Sequence, residues 1–163
     1  MTKLDTKKLI PLAEKGNRKA QCSLADFYSR KKQNKNSNYW FEKITKNSKA
    51  FPYEKSWALY SLGLSCEKGW GVSKSPKKAI QYYKRAGNHD SALLNLGICY
   101  GQGRGVKQDF KKAVEFYKKA AKLGNKNAAY NLALYYSKGR GVQKSEKLSK
   151  KWNSIYRKLR PNK

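Results

Sequence analysis

Gly69-Trp70-Gly71-Val72 recurs as Gly103-Arg104-Gly105-Val106 and again as Gly139-Arg140-Gly141-Val142, at steps of 34 and 36 residues. Upstream of each block lies a matching segment. Ala58, Leu62, Gly63 and Cys66 are echoed by Ala92, Leu96, Gly97 and Tyr100, then by Ala128, Leu132, Ala133 and Tyr136. Downstream, Lys78-Ala79-Ile80 with Tyr83 and Ala86 returns as Lys112-Ala113-Val114 with Tyr117 and Ala120. A period in the thirties marks one supersecondary unit stacked on itself.

Spacing within the unit predicts helix–loop–helix. Ala92, Leu93, Leu96, Gly97 and Tyr100 fall three and four apart, on one helical face, and so do Phe110, Ala113, Val114, Tyr117 and Ala120 or Ala121. The structural loop between them is Gly69, Gly71 and Val72, then Gly103, Gly105 and Val106, then Gly139, Gly141 and Val142. Its glycines supply backbone angles that other residues avoid, and its valine is expected to tuck under the turn. Gly63 and Gly97 fall mid-helix, where glycine costs about 1 kcal/mol against alanine. Their shared register predicts close helix–helix approach, with Ala133 in that role in the last copy.

These residues resemble the Sel-one-like repeat (SLR) family, a branch of the tetratricopeptide-like helical solenoids. The shared pattern is Ala, Leu-Gly, Tyr, Gly-x-Gly-Val, Lys-Ala and Tyr, closing in Ala-Ala-x-x-Gly as at Ala120-Ala121-Lys122-Leu123-Gly124. The resemblance implies an all-α fold, a right-handed α-solenoid of about four stacked helix–loop–helix repeats. Residues 1–163 are expected as one domain, with a capping helix over 1–17 that contains Pro11. A degenerate repeat over 18–55 follows, then repeats over 56–89 and 90–125, and a C-terminal repeat with a basic capping helix over 126–163. The degenerate copy replaces the double-glycine loop with Lys31-Lys32-Gln33-Asn34-Lys35-Asn36. Its second helix is placed around Tyr39-Trp40-Phe41, ahead of an irregular stretch reaching Phe51-Pro52-Tyr53.

Charge dominates the composition: 38 Lys and Arg against 10 Asp and Glu give a formal +28 over 163 residues. Hydrophobics at 39% and aromatics at 13% are too abundant for a disordered basic tail. No apolar run is long enough for a membrane helix, and Met1 to Lys8 lacks a signal-like apolar core. Three cysteines (Cys22, Cys66, Cys99) leave at least one unpaired, so the expected location is cytoplasmic. Secreted bacterial relatives carry disulfides, which this count argues against transferring.

Chemistry finds little support. Gly101-Gln102-Gly103-Arg104-Gly105 follows a helix, whereas a phosphate-cradling loop follows a strand. With one histidine, His89, and singly scattered carboxylates, no catalytic residue, metal site, cofactor or small-molecule substrate is expected. Buried thiols acting as small hydrophobes account for Cys66 and Cys99.

Surface recognition remains. The resemblance places a partner-binding groove on the first helices, at Trp57, Tyr60, Leu64, Leu94, Ile98, Tyr130 and Leu134, although some of these could equally be inter-repeat core. Second helices carry a basic surface of Lys77, Lys78, Lys84, Arg85, Lys111, Lys112, Lys118 and Lys119, extended by Lys150, Lys151 and Arg160 on the last helix. The expected function is a non-enzymatic protein–protein interaction scaffold binding an acidic partner protein. The resemblance extends it to a bacterial adaptor or inhibitor, such as an immunity protein neutralising a cognate toxin. The alternative is a nucleic-acid-binding protein using the lysine rows, since a pI near 10.1 gives the electrostatic footprint.

Overall fold

The computed structural model describes residues 5–159; Met1 to Leu4 and Arg160, which figure in the sequence reading, lie outside the described residues. Among the described residues there are nine α-helices and no strand: α1 (Thr6–Glu14), α2 (Arg18–Arg30), α3 (Asn34–Lys46), α4 (Pro52–Lys68), α5 (Pro76–Arg85), α6 (Asp90–Gln102), α7 (Phe110–Lys122), α8 (Lys126–Lys138) and α9 (Glu146–Lys158). They fall into two compact units, residues 1–86 and 87–163.

Short polar residues start most of these helices. The side chains of Asn17, Ser75, Asp109, Asn125 and Ser145 each accept the backbone N–H three residues on, filling a donor that the first turn leaves open. Gly69, Gly103 and Gly139 end α4, α6 and α8 in the left-handed conformation, with φ of 78°, 70° and 67°. Each loop is then closed by a backbone bond across the pair: Ser75, Asp109 and Ser145 donate N–H to the carbonyls of Cys66, Tyr100 and Tyr136 at 2.8–2.9 Å.

The second loop glycine has a different task. A Cβ on Gly71 would lie 2.7 Å from the backbone of Asn34 and Lys35, and one on Gly141 would overlap Phe110. The loop of one pair thus rests directly on the start of the preceding second helix. Val142 packs against the core as expected, whereas Val72 is exposed.

In the unit of residues 1–86, α3 packs on both α2 and α4 around Leu24, Trp40, Phe41, Ile44, Ala58 and Leu62. In the unit of residues 87–163, α7 packs on α6 and α8, and its core includes Leu93, Val114, Tyr117, Leu132 and Tyr135. Both contain one recurring contact. A Cβ on Gly63 would sit 2.5 Å from the Tyr83 ring, and one on Gly97 would overlap Tyr117. The mid-helix glycines therefore make room for a buried tyrosine. Where α8 has Ala133, the register that holds Tyr83 and Tyr117 holds Asn153 on α9, so the alanine goes with a smaller residue at that register.

Two expectations near the degenerate copy need correcting. Its loop is only Lys31-Lys32-Gln33, with Lys32 at φ 55°, because α3 already begins at Asn34. Phe51-Pro52-Tyr53 is not irregular: α4 starts at Pro52, four residues before the expected 56. Proline presets the first helical angle, and Glu54 reaches back so that its Oε2 accepts the Phe51 N–H at 2.8 Å. Pro11 lies inside α1, in its second half.

Gly97→Ala should destabilise the chain by about 1–3 kcal/mol, since a methyl group must displace the Tyr117 ring. A urea midpoint lowered at unchanged slope reports this. Adding Tyr117→Asn should recover part of the cost of the alanine, giving a non-additive cycle; full additivity would mean that the ring is not the obstacle.

Candidate interaction surfaces

On α4, Trp57, Tyr60 and Leu64 follow helical spacing and all three are half-buried. Trp57 is held edge-on against Phe41 at 5.0 Å and Tyr60 leans on Tyr83 at 6.1 Å, so both serve packing as well as surface. In the second unit Leu94 belongs to the core, the other reading open to these residues, with 9% of its surface exposed. Ile98 is half-buried against that core, as Leu134 is on α8. Tyr130 is the open member at 49% exposure, its ring 5.3 Å from Tyr156.

The basic residues are placed differently. Lys77, Lys78, Lys84 and Arg85 on α5, Lys111, Lys112, Lys118 and Lys119 on α7, and Lys150 and Lys151 on α9 are all exposed. Of these ten, only Lys112 is ion-paired among the described residues, to Asp109 at 3.2 Å. Several overlie rings. Lys112 sits 5.7 Å from Tyr100, Lys119 5.7 Å from Phe116 and Lys118 5.8 Å from Tyr136, while Tyr100 and Phe116 stack at 5.5 Å.

Their position along the helix is informative. Lys84, Arg85, Lys119, Arg157 and Lys158 lie in last turns, where the helix dipole favours a cation. Lys77, Lys78, Lys111, Lys112 and Lys147 lie in first turns, where each cation costs about 0.3–1 kcal/mol. Helix stability does not explain lysines there.

The acids are largely occupied. Asp109 caps α7, and the backbone N–H of Lys112 that it accepts holds its carboxyl below the usual range. Glu14 accepts Tyr39 Oη at 2.6 Å and Lys43 Nζ at 3.0 Å, which lowers its pKa too. Asp90 accepts Asn125 Nδ2 at 2.8 Å, Glu67 accepts Tyr83 Oη at 2.7 Å, and Asp26 pairs with Arg30.

Sequence reasoning missed one cluster. Buried Glu54 forms an ion pair with Arg18, whose guanidinium lies 3.9 Å over the Phe51 ring. Phe51 in turn stacks with Tyr53 at 5.8 Å and 27°, leaving Phe51 47% and Tyr53 67% exposed. A signal existed: 12 residues separate the end of α3 from Ala58, against 6 between α7 and the equivalent Ala128. The extra length supplies the first turn of α4 and its aromatics.

The thiols are not poised as nucleophiles. Cys22, Cys66 and Cys99 are thiols, none of them in a disulfide. Burial, reinforced by the Glu54 charge, pushes the Cys22 thiol up to about 11, and burial raises Cys66 as well. Among the described residues no three His, Cys, Asp or Glu side chains gather as a metal-ligand set, and no helix is long and apolar enough to cross a membrane.

A fold of paired helices joined by a Gly-x-Gly-Val loop defines an α-solenoid of the SLR class. The Sel1 repeat family model matches residues 58–91, 90–125 and 126–152, and the chain belongs to that family, whose members are generally protein–protein interaction scaffolds and typically non-enzymatic. Among solved structures the chain is similar to c5321, a protective antigen present in uropathogenic Escherichia coli strains displaying an SLR fold. Identity is 27% and the TM-score 0.86, over 98% of this chain and 34% of that one. It is also similar to a Sel1 repeat protein from Oxalobacter formigenes, at 26% identity and TM-score 0.79, over 90% of this chain and 60% of the other. Helicobacter pylori cysteine rich protein B shares the fold at 22% identity and TM-score 0.52, over 98% and 93%. The chain thus spans about a third and three fifths of the first two relatives. The curated proteins gave no match.

Native Cys22 should alkylate at pH 8 about two orders of magnitude more slowly than an ordinary thiol, because only about one in a thousand is ionised at a pKa near 11. Mass-resolved iodoacetamide labelling measures this, and labelling at the free-thiol rate would contradict the burial.

Proposed function

We propose that this chain is a non-enzymatic interaction scaffold that captures an acidic protein partner. The observation that carries the reading is the set of exposed, largely unpaired lysines on α5, α7 and α9, several of them in first turns where the helix disfavours them. A surface kept only for solubility mixes its signs, and uncompensated charge weakens the compact state by self-repulsion. A partner bearing carboxylates relieves both costs.

Lysines on flexible stems act at long range and lose little hydration, which suits steering of the encounter more than final affinity. Affinity is assigned to aromatic and apolar contacts: Tyr130 in the open, with the half-buried Trp57, Tyr60, Leu64, Ile98 and Leu134 offering edges. A narrower form is a stoichiometric inhibitor, such as an immunity protein covering its cognate toxin. It would need only a preformed helical surface, and no catalytic group.

Affinity capture followed by reconstitution with the recovered protein tests the reading. An acidic protein held at a defined ratio is expected, and reversing Lys111, Lys118 and Lys119 to Glu should slow association about ten-fold while changing dissociation by less than about two-fold. Recovery of nucleic acid alone, retained above about 0.2 M salt, would overturn it in favour of phosphate recognition.

A further inference from the structure

We propose that the shelf formed by Arg18, Phe51 and Tyr53 in the unit of residues 1–86 docks an acidic polypeptide segment carrying an aromatic or large apolar side chain among its carboxylates. This deepens the acidic-partner reading and rests on it, but it names a different surface from the lysine rows.

The shelf is built rather than incidental. Glu54 is almost fully buried, and its two oxygens are both committed: one accepts the Phe51 N–H, the other takes the Arg18 guanidinium. Arg18 is thereby held over the Phe51 ring, which also stacks with Tyr53. A buried carboxylate is costly unless paired, so this arrangement holds its geometry without a ligand. Two aromatic rings and an arginine, rigid before contact, are the residue types that dominate interface energies, since little conformational freedom remains to be lost.

Nothing in the repeat requires it. The family pattern begins at residue 58, and the additional turn of α4 that carries Phe51 and Tyr53 precedes it. Tyr53 keeps two thirds of its surface in solvent, with its Oη donating to Glu54 Oε1 at 3.4 Å. Tyr53 is the most exposed of the large hydrophobic side chains among the described residues.

Charge selects the occupant. Beside the shelf, a recess of about 590 Å³ is lined by Leu12, Lys15, Arg18, Lys19 and Lys49 together with Gly16 and Asn17. Lys15, Lys19 and Lys49 are exposed and none of them is ion-paired among the described residues, so the rim of the recess is cationic, with Leu12 as its one large apolar side chain. A second copy of a chain with a net charge of +28 is repelled from such a rim. A base fits less well, because the Phe51 ring already contacts both Arg18 and Tyr53, and one Arg18 Nη is committed to Glu54. What remains open is one face of Tyr53, ring edges and a ring of lysine amines. That combination matches an apolar side chain flanked by carboxylates.

Fluorescence anisotropy at about 0.15 M salt tests this with a glutamate homopolymer and a glutamate–tyrosine copolymer of the same length. The intact chain should prefer the copolymer about ten-fold. Tyr53→Ala should abolish the preference while leaving homopolymer binding within about two-fold, Tyr53→Phe should retain it, and Lys19→Glu with Lys49→Glu should weaken copolymer binding. Unchanged circular dichroism melting shows that the variants are folded, and the charge-reversal pair decides if Tyr53→Ala is not. Equal binding of both polymers, unaffected at Tyr53, would overturn the shelf and leave the acidic-partner reading standing. Binding of neither would overturn that reading itself. Displacement of the copolymer by oligothymidine through Tyr53 would assign the shelf to nucleic acid instead.

Discussion

The contact between a mid-helix glycine and a buried tyrosine is what the rest of this structure depends on. Gly63 under Tyr83 and Gly97 under Tyr117 let two helices approach so closely that no methyl group fits between them. Glycine in a helix interior is unfavourable by itself, so the arrangement holds because a large aromatic fills the space with dispersion contacts. Tyr83 and Tyr117 are nearly or fully covered. Burial also pushes the Tyr117 phenol well above the ordinary tyrosine range, so that it remains a neutral packing group. With helix approach fixed in this way, the glycine-rich loop must be short and tightly closed, and its second glycine lies flat on the neighbouring helix start at Asn34 or Phe110.

Such a frame leaves its outer faces free, and the sequence uses them unevenly. Seven of the ten acids (Asp5, Glu14, Asp26, Glu54, Glu67, Asp90 and Asp109) are engaged in caps, ion pairs or hydrogen bonds within the chain. The lysines have few such roles. Net charge therefore understates the imbalance at the surface, since much of the acid is already spoken for. Cations coincide with the positive ends of helix dipoles in the first turns of α5, α7 and α9, offset at α7 by Asp109.

Two kinds of surface consequently coexist. Lysine rows recur with the repeat and follow from its register. The Arg18–Phe51–Tyr53 shelf occurs once, where the interval between α3 and Ala58 is longer than its counterpart. Repetition builds a general electrostatic surface, and a local departure from repetition builds the rigid aromatic one.

The fold was legible because a repeat states its own rules several times. Ala92 to Tyr100 and Phe110 to Ala120 each show helical spacing, and three copies of Gly-x-Gly-Val fix the loop between them. Helix starts at Asn34 and Pro52 departed from expectation where a single copy leaves the pattern and has no second example to correct it. The surfaces were less legible. Spacing identifies which residues share a helical face, and so it placed Leu94, Ile98 and Tyr130 alike; neighbouring helices decided that the first is core, the second half-covered and the third open. Sequence by itself determined the repeat, its helices and the excess of cations, all properties carried by local order and composition. Tertiary structure alone decided that Glu54 is buried and that Arg18, 36 residues away, must neutralise it. That pairing depends on which helices are packed together, and no local spacing encodes it.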